Sequence, residues 1–159
     1  MSFLKIQNLD ISYKTRKETI IASQNVSFTL KKGEILGVVG ESGSGKSTIA
    51  NAIINQIDPP GEITQGSIQL EDAELCNNEK LIQTFRGKKN GFIFQDPQTS
   101  LNPLFTIKEQ LVETIQAHLK LSDHEAMQRA IKLLKEVGIY DAEKLINDYS
   151  HQFSGGMRQ

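Results

Sequence analysis

Apolar and polar residues alternate from the start of the chain: in LKIQNLDISY, Leu4, Ile6, Leu9, Ile11 and Tyr13 carry the apolar positions. VSFTL at 26–30 repeats the pattern. This period of two predicts two half-buried strands, with the polar KTRKET between them as a hairpin loop. After a turn at Lys32-Gly33, EILGVVG at 34–40 is apolar without alternation and predicts a buried strand entering a glycine-rich loop. In SGKSTIANAIINQI the apolar spacing becomes helical, at Ile49, Ile53, Ile54 and Ile57, and DPPG at 58–61 stops it. GSIQLEDAEL predicts a strand with a turn, and GFIFQ at 91–95 a second buried strand.

From Pro97 the pattern becomes helical. Thr106–Glu109 and Ser122–Glu125 both fit the capping box, each followed by a helical run. The second run carries Met127, Ala130, Ile131, Leu134 and Val137 on one stripe and stops at Gly138. Asp141 is placed to cap a third helix, AEKLINDY. The expectation is an α/β portion, 1–95, followed by a helical portion, 96–159, without repeats or a low-complexity linker.

Composition narrows the class. A chain of 159 residues is long enough to bury roughly 70% of its unfolded surface. Lys and Arg number 18 against 19 Asp and Glu, a net charge of −1 that gives no support to a nucleic-acid partner. The single cysteine, Cys76, excludes an internal disulfide and suits a reducing compartment. No apolar run approaches the roughly 20 residues that span a bilayer, and MSFLKIQNLD lacks the apolar segment of a secretory signal. The expectation is a cytoplasmic chain that reaches a membrane only through a partner.

GESGSGKS at 40–47 fits G-x-x-x-x-G-K-[ST] between an apolar strand pattern and a helical one. Gly43 and Gly45 allow a turn tight enough for successive N–H groups to converge on phosphate oxygens. Lys46 brings an ammonium to the outer phosphates and Ser47 a hydroxyl to Mg²⁺. Gly40, Glu41, Ser42, Ser44 and Thr48 complete the expected ATP-binding set. A dinucleotide fingerprint fails, because Thr48 stands where glycine is needed. Near the end, Ser154-Gly155-Gly156 forms a turn opening a helix, a second place suited to an anion.

Together, GESGSGKS, the Gln95 of GFIFQDPQTSLNP and FSGGM at 153–157 resemble the ATP-binding subunit of ABC transporters, in that family's order and over essentially the whole chain. FQDPQTSLNP and HQFSGGMRQ are similar to the subfamily serving oligopeptide, dipeptide and nickel uptake. The resemblance implies a P-loop ABC-type nucleotide-binding domain, made of an N-terminal β subdomain with the ATP-binding core (1–95) and a helical subdomain (96–159). It implies ATP and Mg²⁺ as cofactors, and Gln95 as a catalytic residue that ligates the metal or orients water. Tyr13 falls where the family has an adenine-stacking aromatic. Ser154, Gly155 and Gly156 match the signature that binds the ATP of a second ATPase subunit. Phe153 and Met157 depart from LSGGQ in the manner of that subfamily. Transmembrane permease subunits and, indirectly, an extracytoplasmic solute-binding protein are the further partners implied, at the cytoplasmic face of the inner membrane. Leu101, Pro103, Leu104 and Phe105 lie where the family receives a coupling helix of the permease, or else pack under the next helix.

The family's Walker B strand, catalytic Glu and switch histidine have no counterpart in the sequence, which ends at Gln159. The expectation is therefore the N-terminal portion of an importer ATPase, impaired in hydrolysis by itself. The alternatives are a non-hydrolysing nucleotide-binding fragment and a soluble ABC-type ATPase of DNA maintenance. The latter class typically inserts coiled coils or zinc modules, and no sustained heptads or paired cysteines occur here. HEAMQ at 124–128 misses the zincin H-E-x-x-H, and His118, His124 and His151 have no other ligand spacing. Arg86, Lys88 and Lys89 read as a solvated basic loop.

Overall fold

The alternation in the first thirty residues becomes a pair of long strands, β1 (Ser2–Lys14) and β2 (Thr19–Lys31). The computed structural model describes residues 2–76, 78–96 and 100–159. Pro97, Gln98 and Thr99, inside the FQDPQTSLNP stretch, lie outside the described residues. Two compact units divide the chain, residues 1–90 and 91–159.

In the first unit β1 lies between β2 and β3 (Gly61–Leu70), and the short β4 (Ala73–Glu74) extends the sheet in the order β2-β1-β3-β4, antiparallel throughout. The sequence pattern of β1 steps three residues between Ile6 and Leu9 instead of two. The ladder slips its register at that point, and Asn8 adopts a φ of 47°. A bulge absorbs one residue, so Leu4, Ile6, Leu9 and Ile11 are all buried. The Ser27 hydroxyl accepts the Asn8 N–H at 2.8 Å and holds the bulge to β2. Glu71 and Asp72, both at positive φ, form the turn between β3 and β4.

Helix α1 (Lys46–Ile53) lays Ile49 and Ala52 on this core, and α2 (Glu79–Phe85) adds Ile82. The apolar spacing predicts that α1 continues toward Ile57, yet it stops at Ile54. Asn55, at φ 51°, takes the left-handed position after the cap and turns the chain out of the helix. The sequence pattern predicts no helix at α2; the Asn78 side chain starts it by accepting the Leu81 N–H at 3.2 Å.

Two expected strands do not form. Residues 34–40 and 91–96 belong to no strand, and their apolar side chains are exposed apart from the half-buried Phe92: Ile35 is 97% and Val39 94% accessible, Ile93 78%. An apolar run becomes a strand only where a neighbour pairs its N–H and C=O groups, and among the described residues no strand does so.

The second unit is helical. α3 (Ile107–His118) and α4 (Asp123–Glu136) both open with the expected capping boxes, Thr106 with Glu109 and Ser122 with Glu125. Such a cap is worth about 1 kcal/mol. The α4 stripe is narrower than the pattern suggests: Ala126, Ala130 and Ile131 are buried, whereas Val137 is exposed beyond the last turn, where Gly138 at φ 91° ends the helix. The third helix is one turn, α5 (Ala142–Leu145), and Asp141 makes no side-chain cap. Ile146, fully buried, joins Ala142 in the core that α3 and α4 build. The chain ends in a 3₁₀ turn (Ser150–Gln152) and α6 (Gly155–Arg158).

Candidate nucleotide-binding site

The loop of residues 40–45 leads from an extended segment into α1. Gly43 and Gly45 sit at φ 82° and 85°, where a side chain is strained. Gly45 is also the N-cap of α1, which has no side-chain cap, so the first-turn N–H groups are left for another acceptor. The Lys46 ammonium folds back over the loop. It donates to the carbonyls of Gly40 at 2.9 Å and Glu41 at 2.6 Å, and to the Ser44 hydroxyl at 3.2 Å. The Ser44 N–H closes the turn on the Glu41 carbonyl at 3.2 Å. Ser42 and Ser47 are exposed, and Thr48 is half-buried in the first turn of the helix. A cation held over a glycine turn, at an uncapped helix start, is suited to a polyphosphate.

Strand β2 links this loop to Tyr13. The backbone of Gly45 touches that of Ala22, and Tyr13 pairs with Ile20 on the same strand. The two contacts lie two positions apart on β2, about 7 Å. On its other side Tyr13 faces Gly61, where an added Cβ would lie 2.6 Å from the ring's Cε1. The half-buried ring is thus held beside the turn that closes the β1–β2 hairpin.

Gln95 belongs to the second unit and is exposed, at a bend in the segment 91–96. In the same unit the Ser154 hydroxyl caps α6 by accepting the Met157 N–H at 3.4 Å. Gly155 and Gly156 are exposed, and a Cβ on either would meet nothing within 4 Å. Phe153 is buried with Ile107 and Ile139, Met157 packs against the same cluster, and the turn is anchored through these two side chains. Among the described residues no group of three or more His, Cys, Asp or Glu could hold a metal ion. Ser47, exposed in the first turn of α1, presents a hydroxyl oxygen, the kind of donor that suits Mg²⁺ beside a bound phosphate.

Sequence reasoning missed the role of Arg86. It is not part of a solvated loop: its guanidinium donates to the carbonyls of Ile54 and Asn55, at the far end of α1. Its partners lie more than thirty residues away, so spacing carried no signal for them.

The protein family described as "ABC transporter" matches residues 23–159. The chain belongs to that family. It is 47% identical to the oligopeptide transport ATP-binding protein OppD of Bacillus subtilis (strain 168), over 98% of this chain and 44% of the relative. It is 43% identical to the dipeptide transport ATP-binding protein DppD of Lactococcus lactis, over 98% and 45% respectively. To the glutathione import ATP-binding protein GsiA of Escherichia coli (strain K12) it is 41% identical, over 98% and 26%. The chain therefore spans less than half the length of these relatives. Among solved structures, the dimeric ATP-binding cassette MJ0796 bound to ADP and phosphate matches with a TM-score of 0.84 and 30% identity, over 98% of this chain and 65% of that one. The architecture of this ABC transporter chain is thus that of an ABC ATPase cassette, and no described helix is long and apolar enough to cross a membrane.

Proposed function

We propose that this chain is the N-terminal portion of an ATP-binding subunit that energises an ABC importer of peptides. The observation that carries the reading is the Lys46 ammonium gathered onto the Gly40 and Glu41 carbonyls at the uncapped start of α1. The names of OppD and DppD favour peptides as the cargo. Nickel, the other cargo that the sequence pattern suggests, has no counterpart in the names of these relatives.

Residues 1–95 serve as the ATP-binding core and 96–159 as the helical subdomain that carries the signature. The first-turn N–H groups of α1 and that of Gly43 bind the phosphates, Lys46 neutralises the outer ones, and Ser47 offers its hydroxyl to Mg²⁺. Tyr13 stacks on the adenine. Mg-ATP supplies the phosphoryl group whose transfer to water drives the cycle. Gln95 holds the metal or orients that water. Ser154, Gly155 and Gly156 present open backbone to the triphosphate on a second ATPase subunit. The assembly works at the cytoplasmic face of the membrane with permease subunits and a solute-binding protein.

The test is Mg-ATP turnover by the full-length protein. Lys46→Ala abolishes it if the assignment is right, and unchanged turnover overturns the assignment.

A further inference from the structure

The helix that begins at the phosphate loop is fastened at its other end by a network that the reading above does not use. Helix α1 ends in a Schellman arrangement: the Asn55 N–H reaches the Ala52 carbonyl at 3.0 Å and the Gln56 N–H reaches that of Asn51 at 2.8 Å. The carbonyls of Ile54 and Asn55, just beyond, go to Arg86. Its Nε donates to Ile54 O at 3.0 Å and its Nη2 to Asn55 O at 2.9 Å. The third arm, Nη1, lies 3.4 Å from the Glu79 carboxylate, and that carboxylate accepts the Asn55 side-chain amide at 2.7 Å. Glu79 is the first residue of α2 and Arg86 caps its last turn, through an N–H to the Ile82 carbonyl at 2.9 Å. Both ends of α2 therefore grip the exit of α1.

A guanidinium is a planar fork with fixed donor directions, so two carbonyls bound to it are held in direction as well as in distance. Its charge also complements the negative end of the helix dipole. α1 has eight residues, about 12 Å of helix. A tilt at Ile54 is therefore carried directly to Lys46 and Ser47 in the first turn. We propose that Arg86 is a positioning residue for the triphosphate site: it fixes the angle at which Lys46 and the first-turn N–H groups of α1 meet the phosphates. This role rests on the nucleotide-binding reading above.

The test is calorimetric titration of Mg-ATP into the full-length protein and its Arg86→Lys, Arg86→Gln and Lys46→Ala variants, at a temperature where circular dichroism shows each one folded. In a folded sample, loss of stability alone leaves affinity unchanged, so a fall in affinity reports geometry. Lysine keeps the charge but cannot fork onto two carbonyls. The expected affinity falls in the order Arg, Lys, Gln, reaching roughly tenfold, against the roughly hundredfold that a misplacement of about 1 Å can cost a reaction. Undiminished affinity in Arg86→Gln, with binding lost in Lys46→Ala, overturns the positioning role and leaves the nucleotide reading intact. Absence of binding by the unsubstituted protein overturns both. Should Arg86→Gln not fold, Arg86→Lys decides: weakened binding supports the role, and full affinity overturns it.

Discussion

Gly45 lies so close to the backbone of Ala22 that a Cβ on it would sit 2.2 Å from the Ala22 carbonyl oxygen. This contact sets the phosphate loop against β2, the strand that also pairs with Tyr13. Gly45→Ala meets two obstacles, the clash itself and a φ of 85°, which costs a non-glycine residue roughly 1–2 kcal/mol. We expect the melting temperature to fall by several degrees and Mg-ATP affinity to be lost. Thermal unfolding and titration measure the two effects separately, and normal ATP affinity in the variant contradicts the placement of the loop.

The loop after residue 100 divides its apolar side chains. Leu101 packs toward Ile107, Ile139 and Phe153, whereas Leu104 is 80% accessible and Phe105 is also exposed. Ordinary packing accounts for the first; the other two are where a permease subunit would dock if the importer reading proposed above holds. In the full-length protein, Leu104→Asp is expected to keep ATP binding and to lose co-purification with the permease. Retention of the permease at wild-type level argues against this docking surface.

The capping boxes make the helical unit sensitive to acid. The backbone N–H and then the hydroxyl of Thr106 hold the Glu109 carboxyl below its ordinary value of 4.5. For Glu125 the Ser122 hydroxyl comes first and the backbone second. A carboxyl with a depressed folded pKa stabilises the fold above its unfolded value, and that stability is lost as pH falls through the folded one. Unfolding temperature is therefore expected to drop as pH falls below about 4.5. A Glu109→Gln/Glu125→Gln variant should show a flatter profile; an equal slope in both proteins removes the caps as the cause.

Burial pushes the Cys76 thiol up to about 11, with the nearby Glu74 carboxylate adding to the shift. The thiolate is the reactive form. At pH 7.5 the folded protein should therefore react with an alkylating reagent far more slowly than the same protein in denaturant. Equal rates would place the thiol outside the environment described.

Local rules settled what could be read along the chain. The alternation in β1 survives even its phase slip, because Asn8 bulges out and keeps Ile6 and Leu9 on one side. The capping boxes at Thr106 and Ser122 form where their spacing puts them, since all their partners lie within three residues. The glycines of GESGSGKS likewise carry their own backbone preference. Pairing was not readable in this way. EILGVVG and GFIFQ have the composition of buried strands, but a strand exists only where another chain segment takes up its hydrogen bonds, and Ile35 and Ile93 are exposed. The seat of Gly45 on Ala22 and the grip of Arg86 on Ile54 and Asn55 were decided only by the tertiary structure. Each joins residues more than twenty positions apart and ends on a backbone carbonyl, which every residue type presents alike, so the receiving position leaves no mark on the sequence.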